Sequence, residues 1–395
     1  MGQLVFADVD GTLTDSKLHI GQDKEVFKSF NVKDGYGIVK WREKDDQEFV
    51  IITSRESAAV ANRASELGVQ EVHQGVEDKK QLVEEITAQL GYGLEETVYI
   101  GDDLTDLQAM QTVGMACCPA DAAQDVKGDC SYVSQYDGGN GAVRDVLNHL
   151  ETASRKALGV IPARYGSTRL PGKPLVDLAG KPMIRHVYER ASEAALLDNL
   201  IVATDDDRIA DAVESIGGDA MMTDSDHETG TDRVAEVAAR VGADFTINIQ
   251  GDEPLIDPDV IDAIVRALRE NVPNVATPIS PIKDESLLDD ENTVKVVTDV
   301  DGKALYFSRS RIPSGGETAY KHIGLYGFET ELLLDYVDME SELEEAEDLE
   351  QLRLLENGYP VQTVQTEYDS KEVNVESDIP VVEEALQQES DNGRK

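Results

Sequence analysis

Two rhythms of apolar residues alternate along the first part of the chain. Short apolar runs, LVFA (4–7), FVIIT (49–53) and the start of TVYIGDD (97–103), each break off into a polar loop. Between them, SAAVANRASELG (57–68) and DKKQLVEEITAQLG (78–91) repeat their apolar positions at helical spacing. That alternation predicts βαβ units and hence a parallel sheet. The same rhythm restarts at ALGVI (157–161), with further strands predicted in NLIVATDD (199–206), FTINIQGDEP (245–254) and VATPI (275–279). A polar segment, ETASRK (151–156), follows the helical stretch GAVRDVLNHL (141–150) and precedes a buried strand, which marks a domain boundary. The pattern therefore predicts the α/β class, with two domains that are each a mainly parallel sheet with flanking helices. They are expected at 1–151 and 157–386, and QQESDNGRK (387–395) is expected to be a flexible tail.

Charge changes this picture. The 395 residues include 36 basic and 79 acidic ones, a net charge of −43, where a small domain usually carries a magnitude of ~2–8. This excess argues against nucleic-acid binding, which needs a basic stripe, and against docking on anionic lipid. Because 40% of residues are hydrophobic and fall in periodic blocks, the chain reads as folded rather than disordered. A carboxylate-rich surface suits a salt-loaded cytoplasm, so a halophilic protein that needs high salt is expected. The three cysteines, Cys117, Cys118 and Cys130, lack metal-type spacing and fit a reducing compartment. The start, MGQLVFADVDG, lacks the features of a signal peptide, and no run reaches the ~18 apolar residues of a membrane span. A soluble, cytoplasmic protein is expected.

Candidate chemistry sits in the loops that end the strands. Asp8 and Asp10, two residues apart after the first strand, can both face a pocket at the sheet edge. There one carboxylate can attack phosphorus while the other shuttles a proton, although an acidic turn can also simply cap a helix. Thr53 ends the next strand with a hydroxyl suited to a transferring phosphoryl group. Lys79 opens a helix where a cation would neutralise phosphate, and Asp102 in GDDLTD (101–106) supplies a carboxylate for Mg²⁺. In the second half, PARYGSTRLPGKP (162–174) gathers Arg164, Arg169 and Lys173 among small residues that include Ser167. In so acidic a chain this concentration of cations points to a polyphosphate. The loop lacks the GxxxxGK[ST] pattern of a P-loop. Asp252, in NIQGDEP (248–254), is a strand-end carboxylate for Mg²⁺ held by nucleotide phosphates. The turn SDHETGTDRVAEV (225–237) brings Thr229, Thr231 and Arg233, with plain N-capping as the simpler reading of that turn.

The first set, with NVKDGYG (31–37), IITSR (51–55), YIGDDLTD (99–106) and GGNGAVRDV (138–146), resembles the haloacid dehalogenase superfamily, and within it the 3-deoxy-manno-octulosonate 8-phosphate phosphatases. The resemblance covers residues 3–150. It implies that Asp8 is the nucleophile and Asp10 the general acid/base, and that magnesium is held by Asp8, the Asp10 carbonyl and Asp102. It also implies a fold without a large cap and association of identical chains into tetramers whose neighbours help cover the site. The second set resembles the 3-deoxy-manno-octulosonate cytidylyltransferases. The matching stretches are IPARYGSTRLPGKPL (161–175), IVATDD (201–206), TGTDRVAEV (229–237), NIQGDEPLI (248–256), VKVVTDVDGKALYFSR (294–309), HIGLYGF (322–328) and EDLEQLRLLENG (347–358). This resemblance implies that Arg164, Ser167 and Lys173 hold the CTP phosphates with Arg169 nearby, and that Asp252 binds magnesium. It further implies that Gln250, Arg309, His322, Tyr326, Glu350 and Gln351 surround the sugar acid. One departure stands out: where the family places an aspartate ligand near the C-terminus, this chain has Asn374, so a weakened second metal site is expected unless Glu376 or Asp378 substitutes.

Together the two resemblances imply a bifunctional enzyme that removes a phosphate from the sugar acid and then couples the product to CMP from CTP. The alternatives are the same chemistries on a sialic-acid-like substrate, or one domain that serves assembly or regulation only.

Overall fold

The computed structural model describes residues 3–21, 24–44, 47–166, 170–271, 274–315 and 319–392. It divides into two compact units, Met1–Ser154 and Arg155–Lys395.

In the first unit the strands Glu71–Gln74, Gln47–Thr53, Gln3–Ala7, Thr97–Ile100, Met115–Cys118 and Tyr132–Val133 lie side by side in that order, all parallel. Successive residues of the central strand serve opposite faces. Val5 and Ala7 pack with Ile38, Trp41 and Leu147, whereas Leu4 and Phe6 pack with Val83, Ile86 and Tyr99. A sheet covered on both faces needs near-continuous apolar strands, and LVFA and FVIIT supply them. The central strand has its chain neighbours on either side, so its carboxyl end lies at the point where strand order reverses and a crevice opens. A small antiparallel hairpin, His19–Gly21 with Lys24–Phe27, follows the first loop.

The second unit repeats the arrangement and then departs from it. Its strands Asp219–Met222, Asn199–Thr204, Ala157–Ala163 and Phe245–Asn248 run parallel, again with the first strand in the middle. From Tyr326–Glu329 onward the pairing turns antiparallel, through Val275–Pro281, Tyr320–His322, Lys295–Thr298 and Ala304–Ser308; Val361–Gln365 alone adds a parallel pair. The sheet is therefore mixed, not mainly parallel as expected. One of these antiparallel pairs has a local cause: Lys295–Thr298 and Ala304–Ser308 are joined by a tight turn in which the Gly302 N–H bonds the Asp299 carbonyl, and so short a link permits only antiparallel pairing.

The closing helix, Ile379–Asn392, continues through residues 387–392, which were expected to be a tail. Val382, Ala385 and Leu386 bury one face of it against Leu178 and Met183, and an Arg190–Glu389 ion pair ties its last turns. No helix among the described residues is long and apolar enough to cross a membrane. All three cysteines are free thiols.

Candidate active sites

In the first unit, three adjacent strands deliver their following loops to one cleft of about 360 Å³, lined by Asp8, Asp10, Thr53, Arg55, Lys79 and Asp102. The central strand's ladder extends one step, with the Asp8 N–H bonding the Ile100 carbonyl at 2.9 Å, which fixes the loop's exit. Gly11 (φ +102°) then turns the chain so tightly that a Cβ there would sit 1.9 Å from an Asp102 carboxylate oxygen. Lys79, whose side chain is 4% exposed, reaches Asp8 Oδ1 at 2.7 Å and Asp106 Oδ1 at 2.6 Å. It opens the helix Lys79–Leu90, whose N-cap Asp78 accepts from the Gln81 N–H.

Carboxylate oxygens of Asp8, Asp102 and Asp106 lie within 4.8 Å of one another. Burial, reinforced by Asp106, pushes Asp8 up to about 6. Burial, with Asp8 and Asp106 beside it, pushes Asp102 up to about 8. Burial opposes the charge on Lys79, yet Asp8 and Asp106 still drive its pKa upward. One lysine thus faces three carboxylates, and this crowd of hard oxygen donors fits a divalent cation such as Mg²⁺.

Two further residues shape this site. Asp106 accepts from Lys79 and Tyr99 on one oxygen and from the Asp102 and Asp103 N–H groups on the other. Its lone pairs are occupied, which makes it a brace beneath Asp102 rather than a free ligand. Its signal was its place in GDDLTD, at the head of the short helix Leu107–Met110. The Lys28 ammonium, from the end of the hairpin, bonds Asp10, with Arg55 Nε 3.5 Å from the other Asp10 oxygen. No spacing rule points to Lys28. Thr53 is buried at the cleft wall and accepts from the Arg55 N–H.

The flanking motifs meet behind the loop. The buried Asp34 carboxylate accepts from the Gly141 and Arg144 N–H groups and so caps the helix Ala142–Ala153. The Gly139 N–H bonds the Thr12 carbonyl at 3.0 Å, and a Cβ on Gly138 would stand 1.8 Å from the Gly11 carbonyl oxygen.

The second unit builds an analogous cleft of about 250 Å³ beyond Ala157–Ala163, lined by Arg164, Lys173, Arg233, Gln250 and Asp252 among others. Ser167 and Arg169 lie outside the described residues. Arg164 is exposed. Lys173 Nζ lies 2.6 Å from Asp252 Oδ2 and 3.2 Å from Asn374 Oδ1. Asn374 in turn donates through Nδ2 to Glu372 at 2.8 Å. Asp378 is occupied by the Asn374 and Val375 N–H groups, and Glu376 is exposed. Gly251 lets its loop approach the first, since a Cβ there would be 2.7 Å from the Pro162 carbonyl oxygen. Thr229 is the N-cap of Gly230–Val241, in a capping box with Asp232. Arg233 is buried and bonds Asp205, which also accepts the Tyr165 N–H.

Of the residues expected around a sugar acid, Gln250 and Glu350 join one hydrogen-bonded chain through Asn248 and Thr231. His322 bonds Thr277 Oγ1 through Nε2 at 2.9 Å and contacts the rings of Phe307 and Tyr326, while burial pushes its pKa down to about 3. Gln351 is buried with its Nε2 lacking a hydrogen-bond partner among the described residues. Arg309 is set differently, with its guanidinium on the Glu291 and Asp348 carbonyls and its own carbonyl held by the buried Lys295 ammonium. Asn248 and Lys295 were not singled out from the sequence, since Asn248 meets Thr231 and Lys295 meets the Arg309 carbonyl only once the sheet is assembled.

Comparison with known proteins agrees with this division. A family profile described as cytidylyltransferase matches residues 158–384, and one described as haloacid dehalogenase-like hydrolase matches residues 71–147. A 3-deoxy-manno-octulosonate cytidylyltransferase of Geobacter sulfurreducens is 49% identical over 245 residues, covering 58% of this chain and 98% of that protein. The structure of a CMP:2-keto-3-deoxy-manno-octonic acid synthetase complexed with CTP is 44% identical with a TM-score of 0.57, covering 59% of this chain and 99% of that one. A cobalt-bound deoxy-D-mannose-octulosonate 8-phosphate phosphatase from Haemophilus influenzae is 35% identical over 37% of this chain and 85% of its own, at a TM-score of 0.36.

Proposed function

Since this chain belongs to the cytidylyltransferase family, with a haloacid dehalogenase-like unit ahead of that domain, we propose that it carries two consecutive activities. The domains assigned to them are 1–151 and 157–386. The first would hydrolyse 3-deoxy-manno-octulosonate 8-phosphate through an aspartyl-phosphate. The second would join the freed sugar acid to CMP from CTP, with pyrophosphate leaving.

For the first activity, the observation that carries the reading is Lys79 pinned between Asp8 and Asp106 at the cleft floor. Asp8 attacks phosphorus, Thr53 and Lys79 meet the phosphoryl oxygens, and Asp10, braced by Lys28 and Arg55, delivers and then retrieves a proton. For the second, it is Lys173 beside Asp252 in a cleft shared with Arg164 and Gln250. Here the substrate's own anomeric hydroxyl is the nucleophile, so the chain supplies position and charge: Arg164, Lys173, Ser167 and Arg169 bind the phosphates, and the sugar-acid residues align the hydroxyl. Magnesium would be held by Asp8, the Asp10 carbonyl and Asp102 in the first site and by Asp252 in the second, supplying positive charge to phosphoryl oxygens. A cytoplasmic homo-oligomer is part of the same reading.

The test supplies CTP, Mg²⁺ and a panel of 2-keto sugar acids with their phosphates, and measures phosphate and pyrophosphate separately. Both products are expected with the octulosonate pair. No pyrophosphate with any sugar acid overturns the transferase assignment, and no phosphate from any sugar phosphate overturns the other.

A further inference from the structure

Glu350, Thr231, Asn248 and Gln250 form a directional chain. The Thr231 hydroxyl donates to Glu350 Oε2 at 3.0 Å. A hydroxyl has one hydrogen, so with that hydrogen committed Thr231 can only accept elsewhere. Asn248 Nδ2 donates to it at 3.3 Å. With its NH₂ turned to Thr231, the Asn248 amide faces its carbonyl the other way, where Gln250 Nε2 donates at 3.4 Å. Thr231 is 3% exposed and Asn248 1%, so bulk water does not compete for either group. Gln250 itself lines the cleft with Lys173 and Asp252.

We propose that Thr231 and Asn248 are positioning residues that fix the orientation of the Gln250 amide, so that Gln250 offers its carbonyl oxygen to a hydroxyl of the sugar-acid substrate. This rests on the transferase reading above. The Gln250 NH₂ is drawn toward Asn248, and Oε1 is the end that remains for ligand. An acceptor there reads a hydroxyl donor and disfavours a carboxylate, so the acid group binds elsewhere in the pocket. Deep placement of the polarity-setting residues also explains why Asn248, with no route to the substrate itself, occupies the last position of a fully buried strand.

Thr231→Val keeps the shape and removes the hydroxyl. With CTP saturating, the KM for 3-deoxy-manno-octulosonate is expected to rise about tenfold, with the KM for CTP within about twofold of wild type. Thr231→Ser is expected to recover most of that loss. An unchanged sugar-acid KM in Thr231→Val, or an equal rise in both constants, overturns the proposal. No pyrophosphate from the wild type overturns the transferase reading and this inference with it.

A second measurement uses the wild type alone, with analogues in which single hydroxyls are replaced by hydrogen or by fluorine. Fluorine accepts weakly and cannot donate. At one position both replacements are expected to raise KM about tenfold and alike. A fluoro analogue that binds like the parent at every position overturns the proposal.

Discussion

Both units solve the same placement problem in the same way. A central parallel strand and its neighbours send their loops to one crevice: Asp8, Thr53 and Asp102 in the first, Arg164 and Asp252 in the second, where Asp205 backs the cleft by holding Arg233 and the Tyr165 N–H. What they put there differs. The first buries its reactive groups, and that burial, reinforced by their mutual repulsion, lifts two carboxylates well above the ordinary range. The second keeps two of its cations nearer to solvent, although Arg233 is buried: Arg164 is exposed, and the Lys173 side chain is 14% exposed against 4% for Lys79. On the proposed assignment, the difference follows from who supplies the nucleophile. A side chain that must itself attack needs a desolvated, braced setting. A site whose substrate brings the attacking hydroxyl needs chiefly orientation and charge.

That contrast is open to attack in order of expected effect. Asp8→Asn removes the proposed nucleophile of the first site, so phosphate release should fall by about 10⁴-fold or more while pyrophosphate release persists. Loss of both would mean the two sites are not independent. Lys173→Ala should do the reverse more gently, lowering pyrophosphate release by about 10²–10³-fold, as expected for one lost charge-stabilising donor, with phosphate release unchanged. Asn374→Asp adds a carboxylate beside Lys173 and Asp252. The Mg²⁺ concentration for half-maximal transfer should then fall several-fold, and an unchanged metal dependence would remove Asn374 from consideration as a weakened ligand position.

The smallest effect concerns stability. His322, pushed down to about 3 by burial, is neutral in the fold, whereas an unfolded histidine titrates near 6.5. The unfolded chain therefore binds the extra proton between those values, and stability falls as pH drops from about 6.5 toward 3. The slope from this group is at most about 1.4 kcal/mol per pH unit. Urea unfolding between pH 6 and 5 should show a shallower dependence in His322→Gln than in wild type.

The strand-end loops were legible because each packs its chemistry into a few consecutive residues: DVDGT, GDDLTD and the cationic loop announce themselves by composition. The residues that brace them were not. Lys28 reaches Asp10 from beyond a hairpin, Asp34 caps a helix more than a hundred residues later, and Lys295 holds the Arg309 carbonyl across a strand pair. Such contacts are set by tertiary closure, which leaves no periodic trace in the chain. The second sheet's change to antiparallel pairing escaped for a related reason, since strands after 290 are short and follow one another through turns that the βαβ rhythm does not describe.

The contact between Gly138 and Gly11 bears on how this site can vary or be rebuilt. Backbone there meets backbone, with no side-chain atom on either part to trim or enlarge. A clash introduced at one position has no complementary substitution at the other, so compensating pairs are unavailable. Residues 8–14 and 138–141 therefore form a single inheritable and transplantable part: a designer who moves the aspartate turn to another scaffold must carry the distant glycine loop with it.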